Sequence, residues 1–214
     1  FAMESAVNEL CENAGWDPLN FRIDNASKEG TRRRDGVLFS KIGMQEVLEA
    51  TKESAHWNAP IGDAPEGKVR GRGIANGYWF NIGLKSSANL AVNSDGTVQL
   101  TEGSTDIGGS RTSMAMHVAE VLGIGAHDVR PTVGDTESIG YTDVTGGSRT
   151  TYATGYACWI AANNLVDVLK ERVAVLWDIN KDDVEFNDGS FSSKAEAQKT
   201  IGFKELAGKL DDLG

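Results

Sequence analysis

The residues best placed to do chemistry are a repeated pentapeptide: Gly108-Gly109-Ser110-Arg111-Thr112 recurs unchanged as Gly146-Gly147-Ser148-Arg149-Thr150. An acidic residue precedes each copy, Asp106 the first and Asp143 the second, and each copy runs into a segment with helical apolar spacing. Two glycines, a hydroxyl able to cap, an arginine and a second hydroxyl at a helix mouth suit a phosphate or another anion. Free backbone N–H groups and the positive end of the helix dipole would meet it there. Two such mouths in one chain fit a ligand with an extended phosphate portion held from two sides.

A single copy would carry little weight, because Gly-Gly-Ser is also an ordinary helix entry, a turn followed by an N-cap. Arginine near a helix N-terminus is, however, unfavourable by roughly a few tenths of a kcal/mol unless an anion lies close. The same penalty accepted twice in identical surroundings favours the anion. Other phosphate-binding designs fail on context. No Gly-x-Gly-x-x-Gly follows an apolar strand, no βαβ alternation is expected around either copy, and neither copy is followed by Lys-Ser or Lys-Thr.

The remaining chemistry-bearing residues give no second constellation. His56, His117 and His127 have no metal-ligand spacing, and His117 borders an apolar helix face as a half-buried packing residue. Cys11 and Cys158 are far apart, outside any Cys-x-x-Cys, and read as reduced core thiols. No Ser-His-Asp set or paired carboxylate stands out, so neither catalytic nor metal-ligating residues are assigned. The formal net charge of −10 argues against nucleic acid or anionic membrane as a partner, and Arg32-Arg33-Arg34 reads as a solvated loop. No run is long and apolar enough to span a bilayer. The chain opens at Phe1 inside a helical pattern and stops after a helix at Gly214, as a fragment of a longer protein would.

The elements that must position the repeat follow from periodicity. Phe1, Met3, Val7, Leu10 and Ala14 form an amphipathic helix ending at Gly15, and Asp17-Pro18 restarts a short one burying Leu19 and Ile23. A further helix over about 43–55 turns Met44, Val47, Leu48 and Ala55 inward. The Pro- and Gly-rich stretch 58–68 is the best linker. Residues 68–80 are expected as a strand rich in glycine. Residues 86–92 and 97–101 pair as a hairpin about Asn93-Ser94-Asp95-Gly96. The first copy opens a helix with Met114, Val118, Val121 and Leu122 on one face, closed by Gly123, and 129–133 is a strand. A long polar loop with Tyr141 and Asp143 leads to the second copy. The helix that follows runs over about 149–177, with Tyr152, Tyr156, Ile160, Val166, Leu169, Val173 and Leu176 on its buried face. A small hairpin about Asn187-Asp188-Gly189 and a short helix over 203–210 complete an α+β fold of mixed helices and antiparallel strands.

An ordered set of motifs then resembles one family, the molybdenum-binding subunit of xanthine dehydrogenases and aldehyde oxidases. The set comprises Phe1–Ser5 with Asp17–Asn25, Gly71-Arg72-Gly73-Ile74-Ala75, Asn93–Val98, Asp106-Ile107-Gly108-Gly109, Asp135-Thr136, and Thr145–Thr151. It covers nearly the whole chain. The resemblance implies an internal fragment, with residues 1–67 ending a first molybdopterin-binding subdomain plus linker and residues 68–214 opening a second. It implies a cytoplasmic oxidoreductase that hydroxylates an aldehyde, an N-heterocycle or a similar small molecule with oxygen from water.

The metal would be held by the dithiolene of molybdopterin, in the cytosine dinucleotide form. Electrons would pass to 2Fe-2S clusters and FAD on partner subunits of a hetero-oligomer. The cofactor-binding residues it implies are Asp106, Ile107, Gly108, Gly109, Ser110, Arg111, Thr112, Thr145, Gly146, Gly147, Ser148, Arg149 and Thr150, with Arg111 and Arg149 as phosphate partners. The chain departs from the family at Gly108-Gly109-Ser110, where Gly-Gln-Gly is usual, so the glutamine contact near the metal is replaced by Gly109. The family's Gly-x-Gly-Glu segment with its catalytic glutamate would lie beyond Gly214, so these residues alone are not expected to turn over substrate. An alternative is a non-catalytic cofactor- or nucleotide-binding protein, or a degenerate subunit, of the same fold.

Overall fold

The computed structural model describes residues 1–213. The chain divides into two compact units, Phe1–Tyr78 and Trp79–Gly214.

The first unit is helical. Helix α1 (Ala2–Ala14) ends on Gly15 in the left-handed conformation, as expected from the glycine. Helix α2 (Pro18–Asp24) begins with Pro18 behind Asp17, whose carboxylate accepts from the Leu19 and Asn20 amides. Helices α3 (Met44–Glu53) and α4 (Ala55–Asn58) replace the single helix expected there, because Ser54 is extended and caps a new start through Trp57 N. The inward faces read from periodicity are only partly right. Phe1, Met3, Leu10, Val47 and Ala55 are exposed, while Cys11, Leu19 and Leu48 are buried.

What fixes α1 against α2 is polar. Arg22 is 4% exposed and donates to Glu4 Oε2, Asn8 Oδ1 and the Pro18 carbonyl, each at 2.9 Å. The strand expected over 68–80 does not form. Its backbone is held by side chains instead of a ladder: Asn76 N donates to Glu4 Oε2, and Asn8 Nδ2 donates to the Ile74 carbonyl. Three glycines in that stretch, Gly71, Gly73 and Gly77, also make an extended ladder entropically costly.

The second unit carries the repeat. Strands β1 (Ala88–Val92) and β2 (Val98–Glu102) pair antiparallel in the expected hairpin, its turn closed by Asp95 on Thr97. Helix α5 (Ser110–Leu122) then carries the chain to β3 (Val129–Val133), which pairs parallel to β2. The first copy therefore does sit in a βαβ crossover, contrary to expectation. Pro131 is accommodated because β3 is the edge of the order β1-β2-β3. A one-turn π-helix (Thr150–Thr154) leads into helix α6 (Gly155–Trp177). Strands β4 (Val184–Asn187), β5 (Ser190–Ser193) and β6 (Thr200–Gly202) form a second, antiparallel sheet, in which β6 adds a third strand to the expected hairpin, and helix α7 (Phe203–Ala207) follows.

The core lies between the first sheet and two helices. Val98 and Leu100 point inward at the period of two proper to a strand, and Met114, Val118 and Leu122 meet them from α5. Each such side chain contributes roughly 1.5–3 kcal/mol relative to exposure. The face that α6 buries is Cys158, Ala162, Val166, Leu169 and Val173. Its second half follows the periodicity; its first half departs from it, since Tyr152, Tyr156 and Ile160 are exposed. The π-turn inserts an extra residue and rotates the small residues inward, so that α6 packs closely on α5. Gly123, in left-handed conformation at the end of α5, approaches Gly189 so closely that an added Cβ would lie 2.0 Å from Gly189 N.

Candidate functional site

Both copies of the pentapeptide begin a helix, but they are built differently. At the first, Gly108 and Gly109 have positive φ, 80° and 96°, and turn the chain into α5. The cap is the acidic residue and not the serine: Asp106 Oδ1 accepts from Gly109 N and Ser110 N, both at 2.9 Å, and from the Ser110 hydroxyl. Asp106 Oδ2 pairs with Arg111 Nε at 3.1 Å on the surface. The Arg111 guanidinium, then Ser110 and the capping amides, hold the Asp106 carboxyl below the usual carboxylate range. Among the described residues, the amides of Gly108, Arg111 and Thr112 have no acceptor.

At the second copy Asp143 does not cap. Its carboxylate accepts from Lys85 N and from the Tyr141 hydroxyl, both at 2.8 Å, and those bonds hold its carboxyl below the usual range. Hydrogen bonding to the same carboxylate raises the Tyr141 phenol. Arg149, expected to face a phosphate, is fully buried at 0% exposure. Its guanidinium donates to the carbonyls of Gly83 (2.8 Å), Asp143 (2.9 Å) and Lys85 (2.7 Å), and to Ser86 Oγ. Among the described residues no carboxylate pairs with it. The expectation of a guanidinium contact from Arg149 is therefore corrected: the side chain is an internal brace tying residues 83–86 and 143 to the helix start.

A strap formed by residues 81–86 closes over this copy. Ile82 N donates to the Gly147 carbonyl at 3.0 Å and Asn81 Nδ2 to the Ser148 carbonyl at 2.9 Å. Gly147 has φ 60° and would place a Cβ 2.7 Å from Ile82, so only glycine fits there. Ser148, at φ 56°, continues the left-handed turn before Arg149 returns to right-handed geometry. The change of hand from Ser148 to Arg149 is the kind of turn that aims neighbouring amides at one point, an anion-binding nest. The amides of Gly146, Gly147, Ser148, Arg149 and Thr150 have no acceptor among the described residues. The Thr150 hydroxyl is buried without a partner as well. That orphaned hydroxyl, the free amides and the uncompensated Arg149 charge beneath them fit an anionic group at this mouth.

The two mouths share one unit and are linked. Thr105 Oγ1 and Thr145 Oγ1 are 3.0 Å apart across the surface. Beside them, at the carboxyl ends of parallel β2 and β3, a cleft of about 480 Å³ is lined by Gly103, Gly134, Asp135, Thr136 and residues 139–142. Ligands of sheets with parallel strands bind at such ends. Beneath the first mouth, Glu102 is buried at 1% exposure and accepts from Ser104 N; burial pushes its carboxyl above the usual range. No cluster of three or more His, Cys, Asp or Glu able to hold a metal exists among the described residues. Among the described residues no helix is long and apolar enough to cross a membrane.

Both helix entries thus lie in the second unit and leave backbone amides without acceptors. The chain belongs to the family described as "Molybdopterin cofactor-binding domain", whose model matches residues 47–212. It is 31% identical over 204 residues to the aldehyde oxidoreductase molybdenum-binding subunit PaoC of Escherichia coli O157:H7, covering 90% of this chain and 26% of that protein. It is 30% identical over 187 residues to the xanthine dehydrogenase molybdenum-binding subunit of the same organism, covering 82% and 25%. The chain thus spans about a quarter of the length of these relatives. Its fold is that of part of quinoline 2-oxidoreductase from Pseudomonas putida 86, with a TM-score of 0.71 at 19% identity over 100% of this chain and 30% of that one. The resemblance read from the ordered motifs is borne out, and so is the α+β class, with one parallel strand pair added to the antiparallel ones.

Proposed function

We propose that this chain is the cofactor-gripping part of a molybdenum hydroxylase catalytic subunit, binding molybdopterin in its cytosine dinucleotide form. The observation that carries the reading is the run of acceptor-less amides at 146–150 beside the orphaned Thr150 hydroxyl, tied through Thr145 and Thr105 to the same unit's first glycine mouth at 108–112. Residues 106–112 take the pterin side, with Gly109 leaving a gap where the family's glutamine would reach the metal. Residues 145–150 take the pyrophosphate through backbone amides, and Arg149 supplies positive charge from beneath without contact. When bound, the cofactor brings the molybdenum that accepts the substrate's electrons.

The whole subunit then hydroxylates an aldehyde, an N-heterocycle or a similar small molecule with oxygen from water. It passes electrons to an iron–sulfur subunit and an FAD subunit of a cytoplasmic hetero-oligomer. Residues 1–67 close a first molybdopterin-binding subdomain and residues 68–214 open a second. Gly109 favours one further reading, a cofactor-holding subunit without turnover.

The test is Gly146→Asp in the full-length protein. Gly146 has open space around an added Cβ and no positive φ, so the substitution is sterically tolerated and sets a carboxylate beside the free amides. The expected result is a folded protein that has lost most of its molybdenum and of the CMP released by acid hydrolysis. Wild-type content of both would sink the reading. Wild-type protein that holds the cofactor fully but oxidises no aldehyde or N-heterocycle would favour the non-catalytic alternative.

A further inference from the structure

The polar core of the second unit contains a chain of side chains that the proposed grip does not use. Arg149 Nη2 donates to Ser86 Oγ. Ser86 Oγ lies 3.0 Å from Thr154 Oγ1, and Thr154 Oγ1 is bonded in turn to Ser104 Oγ. Ser104 N donates to Glu102 Oε2 at 2.6 Å. Thr154 is 0% exposed and Ser104 is 3% exposed, so water does not substitute for these partners. Guanidinium can only donate, so Ser86 Oγ accepts from Arg149, while in the Ser86–Thr154 and Thr154–Ser104 pairs either hydroxyl can donate. Buried bonds in series reinforce one another.

The two ends of this chain are the two mouths. Ser104 immediately precedes Thr105 and Asp106, the start of the first; Arg149 is the hinge of the second. Thr154 stands in the middle, and it points inward because the π-turn over Thr150–Thr154 places it on the buried face. A π-turn in an otherwise α-helical stretch is an unfavourable geometry kept where a side chain has to be aimed.

We infer that Thr154 is a positioning residue that locks the two glycine mouths into one register, through Ser104 on one side and Ser86 and Arg149 on the other. The Thr105–Thr145 bond is its surface counterpart. The inference rests on the proposed cofactor grip for its consequence but not for its geometry. A ligand held from two sides binds well only if the sides are already spaced for it, because ordering them on binding costs affinity. Two mouths joined by a preset chain of bonds meet that requirement before the ligand arrives.

The experiment compares Thr154→Val, Thr154→Ser and Thr105→Val with wild type in the full-length protein. It reads molybdenum and CMP retained after dialysis, thermal unfolding, and hydrogen exchange at the amides of Ile82, Gly109, Ser110 and Asp143. Those amides are bonded within the mouths and their straps. Thr154→Val keeps the volume and removes the hydroxyl. It is expected to retain about tenfold less cofactor, the usual effect of losing a supporting contact behind a ligand, and to exchange faster at both mouths. Thr154→Ser restores both readouts, and Thr105→Val shows a smaller change of the same sign.

Wild-type retention and exchange in Thr154→Val would overturn the inference. So would cofactor loss that merely follows loss of folded protein and that serine does not rescue. If Thr154→Val does not fold, Thr105→Val decides alone: unchanged exchange at both mouths overturns the coupling. A wild-type protein without molybdenum or CMP sinks the cofactor reading instead, and the exchange data still judge the lock.

Discussion

Arg149 Nε donates to the Gly83 carbonyl at 2.8 Å, joining the start of the second helix to a strap 66 residues earlier in the chain. Replacing Arg149 with alanine leaves the carbonyls of Gly83, Lys85 and Asp143 without these donors. The expected loss is about 3 kcal/mol or more. Arg149→Lys should recover little, because one ammonium does not reproduce the planar fork that spans three carbonyls. Thermal melts of both variants check this, and an Arg149→Lys protein that melts with wild type would show that the brace is dispensable.

Asp106 is held below the usual carboxylate range by the Arg111 guanidinium and the amides it caps. A carboxyl depressed in the folded state contributes stability above its unfolded pKa and loses it as pH falls through the folded value. Urea midpoints followed from pH 7 downward should therefore fall less steeply in Asp106→Asn than in wild type once pH drops below about 4. Parallel curves would remove Asp106 as a source of acid sensitivity.

Glu102 has the opposite sign. Burial raises its carboxyl, so the folded state binds its proton more readily than the unfolded chain does. Its ionised form opposes folding at neutral pH, and that opposition is relieved as pH falls through the raised value toward the ordinary one. Glu102→Gln keeps an acceptor for Ser104 N. It should match or exceed wild-type stability at pH 7, with the gap closing in mild acid; a marked destabilisation at pH 7 would contradict the assignment.

Two glycine substitutions should separate cleanly. Gly123→Ala combines φ 61° with a Cβ 2.0 Å from Gly189 N, so the βαβ unit and the second sheet would have to part. The expected cost is about 2 kcal/mol or more. Gly146→Ala meets nothing within 4 Å and should melt as wild type does. Equal melting of all three proteins would mean that the Gly123–Gly189 approach is not needed.

Much of the fold is legible wherever local chemistry decides it. Asp17-Pro18 set the start of α2, Gly15 and Gly123 end their helices, and Asn93–Gly96 closes the hairpin. The failures have non-local causes. Residues 68–80 look extended but have no partner strand, so their backbone pairs with Glu4 and Asn8 side chains. A 3.6-residue period carried through Thr150–Thr154 puts Tyr152 and Tyr156 inside, because nothing local announces a π-turn. The pattern of β2 shows a strand but not whether its second neighbour runs parallel, which hides the crossover through α5.

The site is legible as two helix mouths and illegible in their difference. Arg111 and Arg149 sit in identical pentapeptides, yet one is exposed on Asp106 and the other buried under the strap at 81–86. Only the tertiary partner distinguishes them.

Each compact unit contains one buried cysteine, Cys11 in the first and Cys158 in the second. The Cys158 thiol is pushed up to about 12 by burial, so it offers almost no thiolate to an alkylating reagent while its helix stays packed. The chain therefore has a built-in pair of clocks. Timed labelling, read peptide by peptide, reports how often each unit opens and whether they open together, with no probe added to either.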